Sequence, residues 1–342
     1  MCGFVEGFLD TPVGPVPRVR MRVNAADRLG DALARLGSLR REYTVVPGLY
    51  CVGSPRPDSP VLATANYKLT FDALRSRLEG VDAWLLVLDT RGINVWCAAG
   101  KALFSTAETV RMVRLSRLDE VVSHRRLVLP QLCATGVDGL AVRRECGFQV
   151  VWGPVRADDV AAFLADGMQA SEPMRRVTFT LGERAVLTPV ELYLAGRPLA
   201  VALALAVVLS GIGPEVWSPS MAWERGVRAV WALLAGVAAG AVAVPLALPW
   251  LPGRSLALKG IWAGAAVACL APFAGARGLD LAGMALMTVA VASYMAMNFT
   301  GSTPYTSPSG VEKEMRRFLP VQISTALAGM IVWVGSAFWR LP

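Results

Sequence analysis

The chain has 342 residues, of which 54% are hydrophobic and 18% are charged, and its mean hydropathy is positive. This composition is too apolar for a single soluble globular domain. The formal net charge of +8 is divided almost evenly between the parts before and after residue 198, so no dedicated nucleic-acid surface is indicated. The six cysteines include no CxxC pair and no Cys/His cluster, so we expect no iron–sulfur or zinc site in this chain.

The apolar residues are concentrated after residue 198, where nine Lys or Arg and five Asp or Glu occur. A bilayer core of about 30 Å requires roughly 20 apolar residues per helix, and five runs approach or reach that length. They are residues 194–212, 227–250, 256–274, 279–299 and 318–339. Gly and Ala are dense in the second to fourth runs, and such small residues allow helices to pack closely in a membrane. The sequence therefore predicts an all-α transmembrane domain of five helices over residues 194–342.

The basic residues between these runs predict the orientation. With the N-terminal half inside, the cytoplasmic loops hold more Lys and Arg than the outer loops, as the positive-inside rule requires. The inner residues are Arg254, Lys259, Lys313, Arg316 and Arg317, and the outer ones are Arg225, Arg228 and Arg277, with Arg340 at the far end. Residues 1–10 lack the basic start and long apolar core of a signal peptide. We therefore expect a multi-pass protein of the cytoplasmic (inner) membrane, with the soluble half in the cytoplasm.

The soluble half is predicted to have three parts. Residues 1–46 form an N-terminal extension with a weak helix at 25–39, and residues 171–193 form a linker. Between them, strand-like runs alternate with helical stretches. The runs are 61–64, 83–89, 127–129 and 149–152, and the stretches lie near 69–78, 105–115, 136–144 and 157–164. This alternation predicts an α/β domain over residues 47–170, with a parallel sheet covered by helices on both faces.

Two boundaries in this domain have a physical explanation. Ser105 and Glu108 have the spacing of a capping box, in which each side chain binds an orphan amide of the first helical turn. Residues 89–92, Asp-Thr-Arg-Gly, leave the most apolar strand in a turn. The segment that follows them therefore lies at the carboxyl end of the sheet, where ligands bind in open α/β folds.

That following segment, residues 94–101, reads Asn-Val-Trp-Cys-Ala-Ala-Gly-Lys. It is not a phosphate loop, because Val95 stands where that motif has Gly and Ala102 where it has Ser or Thr. The strand-to-helix turns also lack a dinucleotide fingerprint. Cys97 has two interpretations: free cysteines are commonly buried core residues, whereas its small neighbours and Lys101 favour a thiolate that a flat ligand can approach.

The segment 94–101 resembles the signature of a known family, the HgcA corrinoid proteins of microbial mercury methylation. The resemblance continues in residues 64–69, 88–93, 299–302 and 309–314, and so covers nearly the whole chain after Pro47. A more distant likeness is to the corrinoid domain of the large subunit of the corrinoid iron–sulfur protein of acetyl-CoA metabolism. It lies in residues 89–93, 123–124 and 151–154. That relative lacks the Trp-Cys pair.

The resemblance implies a Rossmann-like corrinoid-binding domain in which Cys97, on a short helix that caps the corrin ring, is the lower axial ligand of the cobalt. Thiolate sulfur is a soft ligand that suits soft metals. The other residues expected to contact the corrinoid are Asn94, Val95, Trp96, Ala98, Thr64, Asn66, Thr70, Gly153 and Pro154. For Gly153 and Pro154, a role in a turn is the plain alternative. His124 lacks the Asp-x-His-x-x-Gly context of common methylcobalamin modules, so we expect it to be structural.

The implied activity is that of a methyltransferase, which moves a methyl group from cobalt to mercury(II) and forms methylmercury. The implied partners are HgcB, a ferredoxin-like protein with two 4Fe–4S clusters that supplies electrons, and an upstream methyl donor protein. Two alternatives stay open: a methyl carrier for another acceptor in one-carbon metabolism, and a non-enzymatic membrane protein that binds corrinoid. Residues 300–310 are long for a helix connection, and we expect them to form a working surface on the cytoplasmic side.

Overall fold

The computed structural model describes residues 3–40, 42–270 and 276–339. The chain divides into two compact units, of which the first ends at Thr178 and the second begins at Phe179. Each unit is described by itself.

The first unit contains seven strands and seven α-helices among its described residues. The strands are β1 (Val5–Thr11), β2 (Gly14–Val19), β3 (Gly48–Val52), β4 (Val61–Ala65), β5 (Ala83–Leu88), β6 (Arg126–Leu129) and β7 (Gln149–Trp152). The helices are α1 (Ala25–Leu36), α2 (Lys68–Arg75), α3 (Val95–Gly100), α4 (Thr106–Leu115), α5 (Leu118–Val121), α6 (Gly139–Cys146) and α7 (Val160–Ala165). The four predicted strands and the helices between them are therefore present, with ends shifted by a few residues.

The sheet is mixed, which corrects the prediction of a parallel sheet. Its strands lie in the order β1-β2-β3-β5-β4-β6-β7. The predicted strands β5, β4, β6 and β7 are parallel to their neighbours, but β3 is antiparallel to β5, and β1 and β2 form an antiparallel hairpin. The sequence did not predict these first three strands, because Pro, Arg and Gly interrupt the apolar pattern of the hairpin.

Helices cover both faces of the sheet, as predicted. All residues of β4 and β5 are buried, which is typical of strands covered on both sides. Successive side chains of a strand point to opposite faces. In β5, Trp84 and Leu86 pack in the cluster that includes α4 and α6, whereas Leu85 and Val87 pack in the cluster that includes α2 and α7.

Helix α4 begins at the predicted place, but only half of the predicted capping box forms. The Ser105 hydroxyl accepts a hydrogen bond from the Glu108 amide at 3.3 Å. The Glu108 carboxylate instead accepts from the Asp89 amide at 2.9 Å and from Arg111 Nε at 2.6 Å. This carboxylate therefore ties α4 to the end of β5 rather than to its own first turn.

A buried ionic network holds α1 against α2. Arg75 Nη2 donates to Asp27 Oδ2 at 2.8 Å, and Arg75 Nε donates to Asp72 Oδ1 at 2.7 Å. Lys68 Nζ donates to Asp27 Oδ1 at 2.8 Å. Because loss of one partner would leave a buried charge uncompensated, the network favours one placement of α1. The hairpin and α1 thus belong to the same compact unit as residues 47–170.

The second unit is mainly helical. Its helices are α8 (Leu181–Ala185), α9 (Thr188–Ser210), α10 (Pro219–Ala238), α11 (Val244–Ala247), α12 (Leu256–Leu270), α13 (Gly278–Asn298) and α14 (Pro308–Gly335). A π-helical turn, Ala239–Ala243, joins α10 to α11. Two short strands, β8 (Ile212–Gly213) and β9 (Val216–Trp217), pair between α9 and α10.

Four helical segments are long and apolar enough to cross a membrane: Leu181–Ser210, Pro219–Ala247, Gly278–Ser302 and Ser309–Gly335. The predicted count of five is not reached in the described residues. Helix α12 has 15 residues, which corresponds to about 22 Å and is shorter than a hydrocarbon core of about 30 Å. The end of that predicted run, residues 271–274, lies outside the described residues.

Small residues form the contacts between these helices, as the Gly and Ala pattern predicted. A Cβ at Gly260 of α12 would lie 2.6 Å from Ser293 Cα of α13, and one at Gly264 would lie 2.9 Å from Val289 Cα. The later glycine of α12 meets the earlier residue of α13, so the two helices are antiparallel. A substituted side chain at either glycine would force the backbones apart.

The connection between α13 and α14 is shorter than predicted. A 3-10 turn, Phe299–Ser302, continues α13, and α14 begins at Pro308. Thr300 and Thr303 are buried, whereas Tyr305 is exposed and its ring packs edge-to-face against Phe179, with 5.6 Å between centroids. Part of the predicted working surface is therefore inside the second unit.

Candidate functional site

A cavity of about 420 Å³ opens at the carboxyl ends of the parallel strands. Its walls come from β4, from α2, from the first turn of α3, from the segments that follow β6 and β7, and from the end of α1. This volume is within the range of small-molecule sites. The cavity therefore lies at the edge of the sheet where the sequence predicted a ligand site, and binding of a ligand there stays a prediction.

The cavity lies at a topological switch point. The chain leaves β4 through α2 toward β5, and it leaves β6 through α6 toward β7 on the other side. Helices α2 and α6 pack on opposite faces of the sheet. The connections from the neighbouring strands β4 and β6 therefore diverge and leave a crevice, which is where open α/β sheets bind ligands.

Helix α3 is short, and its two sides differ in exposure. Asn94 caps it, because Asn94 Oδ1 accepts a hydrogen bond from the Cys97 amide at 2.9 Å. The side formed by Val95, Ala98 and Ala99 is buried, whereas Trp96 is 38% exposed and Cys97 is exposed. The helix therefore presents the Trp-Cys pair outward, and Trp96 also lines the cavity.

A close backbone contact fixes the buried side of α3. Gly136 lies in the segment after β6, where an added Cβ would overlap the Phe104 carbonyl and lie 3.0 Å from Ala99 Cα. Only glycine permits this approach, because any larger residue would have to displace backbone atoms. The position of α3 is therefore set by packing against the next segment of the chain.

The turn that leads into α3 is fastened by Asn66, which follows β4. Asn66 Oδ1 accepts hydrogen bonds from the Thr90 amide at 3.0 Å, the Thr90 hydroxyl at 2.9 Å and the Gly92 amide at 2.9 Å. Asn66 is 5% exposed. Arg91 and Gly92 both have left-handed backbone angles, with φ of 54° and 70°. The Asn66 oxygen is thus engaged within the protein, and its predicted contact with a corrinoid stays a prediction.

The structure brings most of the predicted site residues to one cavity. Those that line it are Thr64, Thr70, Asn94, Val95, Trp96, Gly153 and Pro154. Cys97 and Ala98 are on the same short helix, but they are not part of the cavity wall. Asn66 is next to the cavity residue Tyr67 in sequence and points its oxygen at the entry turn.

Sequence reasoning missed three polar residues of the cavity wall, Arg35, Tyr67 and Arg156, as well as its apolar residues. Arg35 is in the last turn of α1, far from the other site residues in sequence, so no local signal indicated it. Arg156 follows the predicted Gly153-Pro154 turn, which was a usable signal. Burial raises the pKa of the Tyr67 hydroxyl, and the positive charge of Arg35 is among the influences that oppose this rise.

The other nucleophilic groups of this unit are less suited to bind a ligand. Burial raises the pKa of the Cys51 thiol to about 11 and that of the Cys133 thiol to about 12. His124 Nδ1 accepts from the Arg126 amide at 3.1 Å, and its Nε2 lies 2.9 Å from the Ser59 carbonyl. Both ring nitrogens thus bind the backbone, which fits the structural role expected for this histidine.

Comparison with known proteins gives similarity to part of the chain. Residues 40–164 match the family model described as CO dehydrogenase/acetyl-CoA synthase delta subunit. The acetyl-CoA decarbonylase/synthase complex subunit gamma of Archaeoglobus fulgidus is 34% identical over 127 residues, which are 36% of this chain and 27% of that protein. The subunit gamma of Methanosarcina acetivorans is 42% identical over 101 residues, or 28% of this chain and 21% of that protein.

These similarities agree with the more distant of the two likenesses seen in the sequence, the one to acetyl-CoA metabolism. The chain spans about a quarter of the length of the curated relatives it matches. The matched residues 40–164 include the cavity wall from β4 to α7 and the whole of α3. They do not include α1, and so they do not include Arg35.

Proposed function

We propose that this chain is a membrane-anchored corrinoid protein that carries a methyl group and transfers it to mercury(II), which forms methylmercury. The observation that carries this proposal is the outward presentation of Trp96 and Cys97 on α3, beside a cavity at the switch point of the sheet. Four long apolar helices in the second unit support membrane association. The proposed location is the cytoplasmic (inner) membrane, with the first unit in the cytoplasm.

The residues at the site fit a corrinoid. The Thr64 and Thr70 hydroxyls in the cavity wall are suited to bind the amide groups of a macrocycle. At Gly153, an added Cβ would lie 3.0 Å from Val128 Cγ1, so a larger residue would crowd the wall. The exposed Cys97 thiol is a soft donor that suits cobalt in a corrinoid.

When bound, the corrinoid supplies a cobalt that takes up and releases a methyl group. The contribution of the chain is to hold the sulfur of Cys97 in a fixed place. Asn94 fixes the first turn of α3, and the buried Val95 and Ala98 anchor its inner side. Mercury(II), the substrate, is an electrophile, so it must receive the methyl group as a carbanion equivalent or a radical. An electron-donating thiolate favours such a transfer over transfer of a methyl cation.

The proposal includes two protein partners, as the resemblance implies. HgcB, a ferredoxin-like protein with two 4Fe–4S clusters, would return the cobalt to its reduced state. An upstream methyl donor protein would supply the methyl group.

The test is mercury(II) methylation by the full chain in membranes, with methylated corrinoid, a reductant and HgcB. Cys97→Ala should abolish methylmercury formation, because Ala is compatible with a helix and only the sulfur is lost. Cys269→Ala removes another exposed thiol and should retain activity. Equal methylation by the Cys97→Ala variant and the wild type, at equal expression, would contradict the thiolate mechanism.

A second candidate is favoured by the names of the relatives: a methyl carrier for another acceptor in one-carbon metabolism. The two candidates differ in acceptor, so the wild-type protein should be offered mercury(II) and, separately, an acetyl-CoA decarbonylase/synthase complex. Methyl transfer to the complex and none to mercury would favour the second candidate. Corrinoid binding without transfer to either acceptor would favour a non-enzymatic binding protein.

A further inference from the structure

The cavity beside α3 is asymmetric in charge. Its described wall includes two arginines, Arg35 and Arg156, and no Asp or Glu, and Arg156 already interacts with another group of the protein. Most of the remaining wall is apolar, and the Thr64 and Thr70 hydroxyls add neutral polar groups. A wall of this kind is suited to a ligand with an apolar body and one anionic group.

Arg35 reaches this wall on an anchored helix. Asp27, eight residues earlier on α1, is bound by Arg75 and Lys68 of α2 at 2.8 Å each. Helix α1 ends at Gly37, which has a left-handed φ of 101°. Because α2 also lines the cavity, the buried ion pairs fix the helix that carries Arg35 relative to the cavity wall. The approach of Arg35 is therefore built into the packing of the unit.

We propose that Arg35 binds a phosphate group of the ligand, namely the phosphodiester in the nucleotide tail of a corrinoid. This inference rests on the proposed function, because it assigns a part of the same cofactor to the cavity. Guanidinium groups bind phosphate through paired, charge-assisted hydrogen bonds. Arg35 lies outside the residues that match the family model, so this contact would be an addition made by the N-terminal part of the chain.

The test compares two corrinoids that differ in the tail. Cobalamin has the phosphodiester, whereas cobinamide lacks the phosphate, ribose and base. The purified full chain in detergent is titrated with each corrinoid, and the dissociation constant is read from the absorption spectrum. Arg35→Ala should weaken cobalamin binding by about tenfold, which corresponds to about 1.4 kcal/mol, and should change cobinamide binding by less than about twofold. Arg35→Lys keeps the charge and should recover part of the loss.

Arg28→Ala is the matched control, because Arg28 is an exposed arginine of the same helix that is not part of the cavity wall. It should leave the binding of both corrinoids unchanged. Inorganic phosphate, added as a competitor, should weaken binding of cobalamin to the wild type and leave cobinamide binding unaffected. If free phosphate were the true ligand, the wild type would instead bind phosphate, and its affinities for the two corrinoids would be equal.

The outcomes separate this inference from the proposed function. Failure of the wild type to bind either corrinoid would reject the proposed function. Tight binding of both corrinoids, with Arg35→Ala affecting both equally or neither, would reject the phosphate site and leave the proposed function standing.

Discussion

Removal of the Asn66 side chain should release the turn that leads into the Trp-Cys helix. Asn66 Oδ1 accepts three hydrogen bonds, two of them from the backbone amides of Thr90 and Gly92 and one from the Thr90 hydroxyl. In Asn66→Ala the Thr90 and Gly92 amides lose their acceptor, whereas the Thr90 hydroxyl keeps the Ile93 carbonyl at 2.6 Å. Thr90 is fully buried, so water cannot replace that acceptor without local opening of the turn.

The expected magnitude follows from the loss of these two amide bonds. A hydrogen bond contributes about 1 kcal/mol net, and a buried donor left without a partner costs about 1–3 kcal/mol. The loss should therefore be about 3 kcal/mol for local opening of residues 89–93. Because about 1.4 kcal/mol corresponds to a factor of ten, the opening equilibrium should shift by about a hundredfold.

Amide hydrogen exchange on the full chain in detergent measures this opening directly. Peptides that contain the Thr90 and Gly92 amides should exchange about a hundredfold faster in Asn66→Ala without any corrinoid. Asn94→Ala serves as the comparison, because it removes one bond, to the Cys97 amide, and should accelerate exchange there by about tenfold. If exchange at residues 89–93 is unchanged in Asn66→Ala while corrinoid binding falls, Asn66 acts as a direct ligand contact and this reasoning is wrong.

Other perturbations give equally specific outcomes. Gly136→Ala should lower the melting temperature of the full chain, because its Cβ would overlap backbone next to α3, whereas Gly100→Ala, which meets nothing within 4 Å, should leave it nearly unchanged. Arg75→Met should destabilise the fold by about 3 kcal/mol, because two buried carboxylates, Asp27 and Asp72, then have Lys68 as their shared cation. Burial tends to raise the pKa of Asp27, but hydrogen bonds from Lys68 and Arg75 prevail and hold it below its ordinary value of 3.8. Its stabilising effect is therefore present above that value and lost as the pH falls through the lowered pKa, so thermal melts of wild type and Arg75→Met should converge in acid. In a chain without other reactive cysteines, Ser309→Cys should resist an impermeant thiol reagent applied from outside; labelling there would contradict the proposed orientation.

The parts of the fold that sequence could predict are those with a local cause. The strands β4 and β5 are continuous apolar runs, and the turn before α3 is marked by its Asp-Thr-Arg-Gly sequence. The Ser105 side of the helix cap was also predictable. The Glu108 side was not, because its carboxylate binds the Asp89 amide, a residue that is brought close only by the fold.

The parts that sequence could not predict depend on long-range packing. Apolar and polar residues alternate only weakly in the sequence of the hairpin β1–β2. The hairpin becomes part of the sheet because β2 pairs with β3. The approach of Arg35 to the cavity depends on the ion pairs between α1 and α2. Helix α12 shows the same limit in the second unit. The apolar run in the sequence was long enough to span a membrane, but the helix has 15 residues in the part of the chain that the structure describes.

The way in which the hairpin and α1 complete the first unit determines where the chain can be cut. A fragment that begins at residue 40, the start of the matched region, would lose β1, β2 and Asp27 together. The backbone of β3 would then become an open edge, which invites pairing with a second molecule. Arg75 would keep Asp72 but lose its other carboxylate. Soluble fragments for structural work should therefore begin before β1 and not at the boundary of the family similarity.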